Sequence, residues 1–351
     1  MVQQRGVLIL MNVRQRILDF CLHQLVERKK MKLIVKGCLV SLAIFSAISA
    51  SSPVNAFPEK SVRLTVGFGP GGPSGIAARF MQKRFTAVTG QELIIINKPG
   101  AGGAKAWSQI KKDKKDGYEL TLLNFPHTVL QPIARGKNAG YSYEDIQPVL
   151  YYTSVPQVLA VRKNSPIKTF KDLVSAIKAK PGSVTIGGTG IGGSNHSAFY
   201  KFNKVGGFKA AYVPFKDTSS TIAGLKSGST DAAWTFTTQG VKDGDSIRML
   251  AIASEKRMSL FPELPTLTEL GYPVVDVAYW SIGVPPGTPS NIRQKVSDAF
   301  QKVVNDASVK ADMSKGGYQP ILIPYPKSNE FKARLGKDYG AVGKALSKKK
   351  K

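Results

Sequence analysis

The chain has 351 residues, and its 50 Lys and Arg against 23 Asp and Glu give a formal net charge of +27 at pH 7. The basic residues are dispersed, mostly Lys and without interleaved aromatics, which argues against a nucleic-acid-binding surface. A lysine-rich surface of this kind is typically solvated, and its field raises the local concentration of small anions. We therefore expect no nucleic-acid partner.

Residues 31–56 have the pattern of a secretory signal peptide. A charged start at Met31 is followed by a mostly apolar stretch and a small-residue cleavage site, Val54-Asn-Ala56. Residues 1–30 fit no part of such a signal, so Met1 and Met31 both stay open as the start. The signal predicts export to the periplasm. No later segment reaches about 18 consecutive apolar residues, so we expect the mature protein to be soluble.

Both cysteines, Cys21 and Cys38, precede the predicted cleavage site. The mature chain of about 295 residues is therefore expected to have no disulfide, thiolate nucleophile or cysteine metal site, and its length suits two lobes. It has two histidines and neither a G-x-S-x-G elbow nor an H-E-x-x-H zinc motif. We expect no metal and no cofactor.

Short β-rich runs alternate with amphipathic segments after residue 56, which is typical of an α/β protein. In chain order the strands are predicted at 62–66, 93–96, 119–123, 158–161, 184–186, 211–213, 231–234 and 249–253. Helices are predicted at 74–88, from Thr169, from Ser194 to about residue 205, at 218–226 and from Thr288-Pro289. Thr169 begins a capping box, and Asp217 is predicted to cap the helix that follows it.

Two glycine-rich turns stand out, Gly67-Phe-Gly-Pro-Gly-Gly72 and Gly188-Thr-Gly-Ile-Gly-Gly193. Each follows a predicted strand and leads into a predicted helix that opens with Ser. Free backbone N–H groups and the helix dipole make such a junction an anion site. Two of them, about 120 residues apart, predict two α/β lobes that close on one anionic molecule.

Both turns also match the G-x-G-x-x-G dinucleotide fingerprint. That fingerprint needs an acidic residue at the end of the second strand to bind the ribose. Here the second strand ends in Asn97-Lys98 and no carboxylate follows. The sequence therefore argues against a nicotinamide or flavin site.

The chain is expected to cross between the lobes twice. An extended run at 147–161 leaves the first unit, and a Gly- and Pro-rich segment at 280–289 returns to it. We predict a first lobe of residues 57–155 plus 285–351 and a second lobe of residues 156–284. Two crossings predict a hinge that lets the lobes close around a ligand.

Few side chains are candidates for chemistry. His127 follows a strand, where a cleft contact and a plain turn are equally consistent, and Trp280 fits either the core or the cleft wall. His196 lies two residues after Ser194 at a helix start, which favours a structural or ligand-facing histidine over a base. A secreted hydrolase with this Ser as nucleophile and this His as base is disfavoured, because side chains two positions apart on a helix diverge.

Seven segments carry a further, colinear pattern, namely residues 57–74, Asn97-Lys-Pro-Gly-Ala-Gly-Gly103, 117–123, 212–216, 247–254, 261–271 and 279–289. In this pattern the chain resembles the Bug family, the periplasmic solute-binding components of tripartite tricarboxylate transporters. The match runs in order from residue 57 to about residue 335. Colinearity over this length is far more specific than any one glycine motif.

The resemblance implies an α/β, two-lobed type II periplasmic-binding-protein fold that closes on a small organic carboxylate. It also implies delivery of this ligand to a membrane permease with one large and one small subunit, with no catalysis by the protein itself. We expect a monomer. A ligand-sensing subunit that presents its solute to a membrane receptor kinase stays open as an alternative.

By the same resemblance, loops 68–74 and 189–196 act as two prongs on one carboxylate group. The residues expected to bind the ligand are Phe68, Gly71, Gly72, Pro73 and Ser74 on the first prong, and Gly190, Gly192, Ser194 and His196 on the second. His127 and Asp217 are added as further candidates.

Two positions depart from the family pattern. Family members usually carry Asp where this chain has Gly75, and tend to have Ser where it has Gly193, with Ser194 one place later. Loss of the acid removes a partner for an amino group and lowers repulsion towards further ligand carboxylates. We therefore expect a ligand without an ammonium group, such as a di- or tricarboxylate or an aromatic acid.

Overall fold

The computed structural model describes residues 57–348. The predicted signal peptide and the two alternative start residues lie outside this part of the chain. Within it, no helix is both long and apolar enough to cross a membrane.

Strands and helices alternate through the described residues, as expected for an α/β protein. The strands are β1 Val62–Val66, β2 Leu93–Asn97, β3 Glu119–Phe125, β4 Gln147–Arg162, β5 Thr185–Thr189, β6 Ala211–Phe215, β7 Ala232–Phe236, β8 Ile247–Ile252, β9 Val277–Val284 and β10 Gln319–Pro324. The helices are α1 Pro73–Thr89, α2 Ala104–Trp107, α3 His127–Arg135, α4 Phe170–Ala179, α5 Ser194–Gly206, α6 Thr218–Ser227, α7 Thr237–Asp243, α8 Ser290–Asn305, α9 Ala307–Lys315 and α10 Lys327–Lys348.

The strands form two sheets that share β4. In the first sheet β1 pairs in parallel with β2 and β3, and β9 lies antiparallel between β3 and β4. In the second sheet β5 pairs in parallel with β6 and β7, and β7 lies antiparallel to β4. The two strands that precede the glycine turns, β1 and β5, therefore occupy equivalent central positions. This arrangement is the two-lobed α/β fold that the sequence predicts.

Each sheet has its own hydrophobic core. Val62, Leu64 and Val66 of β1 are fully buried in the first core, because alternate residues of a strand face the same side. Trp234 of β7 is fully buried in the second core. Trp280 of β9 is 2% exposed and belongs to the first core, where it also reaches the wall of the cavity described below.

Strand β4 passes from one sheet to the other. Residues 147–156 pair with β9, whereas Gln157 begins the pairing with β7. The chain returns just before β9, at Asp276, whose N–H donates to Ala253 O at 2.9 Å. We propose that the chain crosses between the lobes at these two places. The first crossing lies within the predicted segment 147–161, whereas the second lies at Asp276, before the predicted segment 280–289.

The local signals hold at most helix starts. Thr169 caps α4 with a capping box to Asp172, and Asp217 caps α6 with a box to Ser220. Helix α8 differs, because its cap residue is Pro289 and not Thr288. The Thr288 hydroxyl donates instead to Pro285 O at 2.7 Å, inside the preceding turn.

Candidate functional site

A cavity of about 380 Å³ lies where the ends of β1 and β3 in the first sheet face the end of β5 in the second. Both glycine turns line it, together with residues of α3, the start of α6 and the aromatic side chains Phe215, Phe236 and Trp280. Its size is that of a pocket for a small organic molecule. The position outside the carboxyl ends of parallel strands is where α/β folds usually bind ligands.

Side chains from two other segments hold the backbone of the first turn. The Asn97 amide donates to Phe68 O at 2.8 Å, and Arg79 donates to Pro70 O at 2.7 Å. A Cβ at Gly75 would lie 2.5 Å from Pro70 O, so this position of the helix packs directly on the turn. No side chain caps α1, whose cap residue is Gly72. The first amides of α1 consequently lack intrahelical acceptors and are available to an anion.

Ser74 is fixed by two donors from other strands. Its Oγ accepts a hydrogen bond from Asn124 Nδ2 at 2.8 Å and another from Trp280 Nε1 at 3.0 Å. A hydroxyl has two acceptor sites and one donor, so the remaining O–H is left to donate. Ser74 lines the cavity and is 5% exposed. This O–H is therefore oriented for an acceptor atom of the ligand.

Asn124 also lines the cavity, and its Oδ1 is buried without a hydrogen bond to any described residue. A buried polar atom of this kind costs free energy until a ligand or water pairs with it. Turning the amide over would let the Ser74 hydroxyl donate to the Asn124 oxygen.

The second turn is fixed through Thr189. Its N–H and Oγ1 donate to Asn195 Oδ1 at 3.1 and 2.7 Å, and its carbonyl accepts from Tyr212 OH at 2.6 Å. Gly190 N–H donates to Phe215 O at 2.8 Å. As in the first lobe, a glycine, Gly193, caps the helix without a side-chain hydrogen bond. The two turns thus offer the same kind of backbone anion site.

His127 lies at the start of α3, between the two turns. Burial lowers the pKa of His127 to about 4, so the imidazole is neutral at pH 7. Its Nδ1 makes no hydrogen bond with any described residue. A Cβ added to Gly193 of the other lobe would lie 3.4 Å from Nε2, and the Phe68 ring packs edge-on at 5.7 Å. A neutral ring in this position can offer one donor or one acceptor to a ligand.

Gln131, about one turn farther along α3, joins the two lobes. Its Nε2 donates to Gly192 O at 3.0 Å and to Ile191 O at 3.4 Å in the second turn. Its Oε1 accepts from Arg135 Nε at 2.5 Å. Gly192 has φ +75°, and a Cβ there would lie 2.9 Å from Ala134 Cβ. The lobes approach so closely here that glycine is required.

Three charged residues also line the cavity. Arg135 lines it from the first lobe, and Lys216 and Asp217 line it from the second. Although burial raises the pKa of Asp217, hydrogen bonds from Ser220 and the nearby Lys216 lower it below the ordinary value overall. Asp217 is therefore ionised, with its charge directed at the start of α6.

The structure brings most of the predicted site residues to this cavity. Phe68, Gly71, Gly72, Pro73, Ser74, His127, Gly190 and Asp217 line it. Gly192 and His196 instead border a small separate cavity beside α10, and Ser194 is fully buried. Ligand binding by each of these residues stays a prediction.

The lining residues that sequence reasoning missed include Asn124, Gln131, Arg135 and Lys216, whereas Trp280 had been left open between the core and the cleft wall. The position of Asn124 at the carboxyl end of a central strand was a usable signal. Gln131 and Arg135 repeat at helical spacing after His127, so a helix starting there would have placed all three on one side. Among residues 57–348, no group of three or more His, Cys, Asp or Glu could hold a metal ion.

Comparisons with known proteins agree with this architecture. A UPF0065 protein of Cupriavidus necator is 28% identical over 85% of this chain and 90% of its own length. The protein BugT of Bordetella pertussis is 26% identical over 84% of this chain and 92% of its own length.

Solved structures give the same result. A structure described as a periplasmic transporter has a TM-score of 0.75 at 27% identity, and covers 84% of this chain and 98% of its own. The periplasmic binding protein BugD has a TM-score of 0.71 at 23% identity, over 83% of this chain and 98% of its own, and shows the shared fold.

The family model described as "Tripartite tricarboxylate transporter family receptor" matches residues 77–349, which is most of the chain. The resemblance to the Bug family is thereby confirmed. This chain belongs to the tripartite tricarboxylate transporter receptor family of solute-binding proteins.

Proposed function

We propose that this protein is a periplasmic solute-binding protein that captures a small organic carboxylate between its two lobes. It delivers the ligand to a tripartite tricarboxylate-type permease with one large and one small membrane subunit. It acts as an exported monomer, without a cofactor and without catalysis of its own. We also propose that the chain crosses between the lobes near Gln157 and Asp276, and that residues 31–56 are a signal peptide.

One observation carries it, namely that two uncapped helix starts, after Gly72 and after Gly193, face a single cavity. Neither helix has an acidic residue in its first turn. Helix starts of this kind stabilise a negative charge, and charge-assisted hydrogen bonds contribute roughly 1.5–3 kcal/mol each. Four or five of them, less the ordering cost, support about micromolar binding.

Solved proteins of the same fold support the ligand class. MatC of Rhodopseudomonas palustris is described with bound malate, at 23% identity and a TM-score of 0.71. A second R. palustris protein is described with adipate, at 24% identity and a TM-score of 0.77. Both are dicarboxylates without an ammonium group, the class that we expected from the sequence.

The hydrolase alternative finds no support in the geometry. Ser194 Oγ is buried and makes no hydrogen bond with any described residue. A nucleophilic serine needs a hydrogen bond to its base, within about 3 Å. His196 Nδ1 instead lies 3.4 Å from Gly192 N–H, which donates to it.

The test measures melting temperature and Kd of the purified mature protein with citrate, succinate, malate, benzoate and glutamate. The matched controls are succinamide and benzamide, which keep the shape of two of these ligands and remove their charge. We expect at least one acid without an ammonium group to raise the Tm, and no amide to do so. Stabilisation by glutamate alone, or equally by acid and amide, would contradict the proposal.

Delivery to a permease needs a separate measurement. Vesicles that contain the permease are given the labelled acid with and without this protein. Uptake that depends on the protein supports transport. Absence of uptake, together with ligand-dependent activation of a receptor kinase, would support sensing instead.

A further inference from the structure

We propose that Gln157 and Asp276, which lie at the two lobe crossings and do not line the cavity, are positioning residues for ligand binding. They hold the first turn of α5, and with it the second glycine turn, at a fixed place relative to the crossings. This inference rests on the proposed function, because it concerns the anion site at the start of α5. Its consequence is that affinity depends on two side chains that do not touch the ligand.

The two crossings are bonded directly to each other. Gln157 N–H donates to Asp276 O at 3.3 Å, and Gln157 Nε2 donates to Asp276 Oδ1 at 2.6 Å. Both residues are fully buried. Tyr339 of α10 adds a third segment, because its OH lies 3.3 Å from Val277 O and 3.4 Å from Asp276 Oδ1. The crossings and α10 therefore meet at one buried carboxylate.

The same carboxylate anchors one face of α5. Ser197 Oγ donates to Asp276 Oδ2 at 2.7 Å, and Lys201 Nζ lies 2.9 Å from this oxygen. Gln157 Nε2 also donates to Ser194 O at 2.9 Å. Positions 194, 197 and 201 lie on one side of a helix, because they are three and four residues apart. The start of α5 is thus attached to the crossings through all three positions.

From Gln157 a chain of side-chain hydrogen bonds reaches the second glycine turn. Asn195 Nδ2 donates to Gln157 Oε1 at 2.6 Å, and Asn195 Oδ1 accepts from Thr189 N–H and Oγ1 at 3.1 and 2.7 Å. Thr189 and the adjacent Gly190 line the cavity. The side chains of Gln157 and Asn195 therefore connect the carboxylate of Asp276 to the wall of the ligand site.

The orientation of the Gln157 amide is determined by its partners. Both N–H groups of Nε2 are used, and turning the amide over would place Oε1 against Ser194 O and Asp276 Oδ1, which are both acceptors. Asn195, the donor to Oε1, is only 1% exposed. Loss of one of these hydrogen bonds would leave buried polar atoms unpaired, and the start of α5 would shift to regain partners.

The placement of this helix start matters because the ligand is expected to bind backbone amides. No side chain caps α5, so the placement of the helix alone directs its first N–H groups. Hydrogen bonds weaken steeply when their distance or angle departs from the optimum. A small shift of the helix start therefore weakens several ligand contacts together.

The experiment compares two pairs of substitutions at buried side chains. Gln157→Met removes the link between the crossings and α5, and Gln239→Met makes the same change at a buried glutamine of α7 that does not line the cavity. Ser197→Ala removes one anchor of α5, and Ser165→Ala is its control at a buried serine outside this helix. Kd is measured for malate, succinate and benzoate, and amide hydrogen exchange is measured for the ligand-free proteins.

We expect Gln157→Met to weaken binding of the best of these acids about tenfold or more, and Ser197→Ala to weaken it about threefold. Amide exchange at residues 189–193 should become faster in both variants, whereas exchange in β7 of the same lobe should change less than about twofold. The two controls should bind as wild type does and should leave exchange at residues 189–193 unchanged.

A Kd for Gln157→Met equal to that of wild type, with unchanged exchange at residues 189–193, would overturn the inference. Equal increases in exchange at β7 and at residues 189–193 would also overturn it, because they indicate that the whole lobe is less stable. If Gln157→Met does not fold, Ser197→Ala decides by the same criteria. These results leave the proposed function standing as long as wild type binds an acid, whereas no binding of any acid by wild type would overturn both.

Discussion

The indole N–H of Trp280 donates to Ser74 Oγ at 3.0 Å, and thereby joins β9 of the first sheet to the first turn of α1. The two residues lie 206 positions apart in the chain. Since Asn124 donates to the same oxygen, the hydroxyl hydrogen of Ser74 is left to donate to a ligand.

Replacing Ser74 with Ala should weaken ligand binding about tenfold to hundredfold, because one hydrogen bond to a carboxylate contributes roughly 1.5–3 kcal/mol. It should also lower the free energy of unfolding by about 1–3 kcal/mol, because the donors of Trp280 and Asn124 lose their acceptor. Ser281→Ala is the control, since this serine is also buried, does not line the cavity and donates to Ile282 O. Titration calorimetry with the best acid should give an unchanged Kd for the control. An unchanged Kd for Ser74→Ala would refute the role of its hydroxyl.

Gly75 should not tolerate a side chain. A Cβ there would lie 2.5 Å from Pro70 O and 2.6 Å from Gly69 O, so Gly75→Ala must push the glycine turn out of place. Backbone displacement of this kind typically costs about 1–3 kcal/mol, and we expect weaker ligand binding as well. Gly69→Ala is the matched control, because its Cβ would have no atom within 4 Å. Thermal unfolding is compared for both variants, and Kd is measured for Gly75→Ala. Equal losses of stability in the two variants would contradict the packing argument.

Stability should fall as the pH drops from about 6.5 to about 4, in part through His127. The unfolded chain binds a proton on this residue with a pKa near 6.5, whereas the folded protein does so only near 4. Between these values the unfolded state holds more protons, so acid favours it, by about 3 kcal/mol in total for this fully buried group. Urea unfolding of wild type and His127→Gln is compared at pH 7, 5.5 and 4. The variant should lose less stability over this range, and parallel losses would count against the low pKa.

Replacing the carboxylate of Asp276 should cause a large loss in the free energy of unfolding. It is fully buried, and its oxygens accept from Gln157 at 2.6 Å, Ser197 at 2.7 Å and Lys201 at 2.9 Å. Removing one partner of a buried ion pair costs about 3–5 kcal/mol, so Asp276→Ala should unfold at a much lower urea concentration.

The control for Asp276 is Asp312→Ala, which breaks an exposed pair with Lys83 at 2.8 Å. Exposed pairs contribute about 0–1 kcal/mol, so this variant should stay close to wild type in urea. If both variants lost similar free energy of unfolding, burial would not explain the contribution of the Asp276 ion pair.

Local signals explain what the sequence predicted well. β1 was placed at its observed bounds because Val62, Leu64 and Val66 alternate with exposed or half-buried residues. The caps at Thr169 and Asp217 use residues that are neighbours in the chain, so a single pattern contained both partners.

Tertiary contacts explain what was missed. Most of β4 is buried on both faces, so its first ten residues lack the alternation that identifies a half-buried strand. Strand β9 was not predicted either, so the hydrogen bond from Trp280 of this strand to Ser74 was not predicted. Arg135 and Lys216 reach one cavity only after two lobes have folded around it, and no pattern in the chain joins them.

The sharing of β4 between the sheets has a consequence for how this protein can be divided. Residues 147–156 of β4 pair with β9 in the first sheet. Residues 157–162 pair with β7 and β8 in the second sheet. Severing the chain at Gln157 would leave each fragment with bare strand edges, which are templates for aggregation. Neither fragment should therefore express as a well-behaved domain, and heat should melt both halves in a single step.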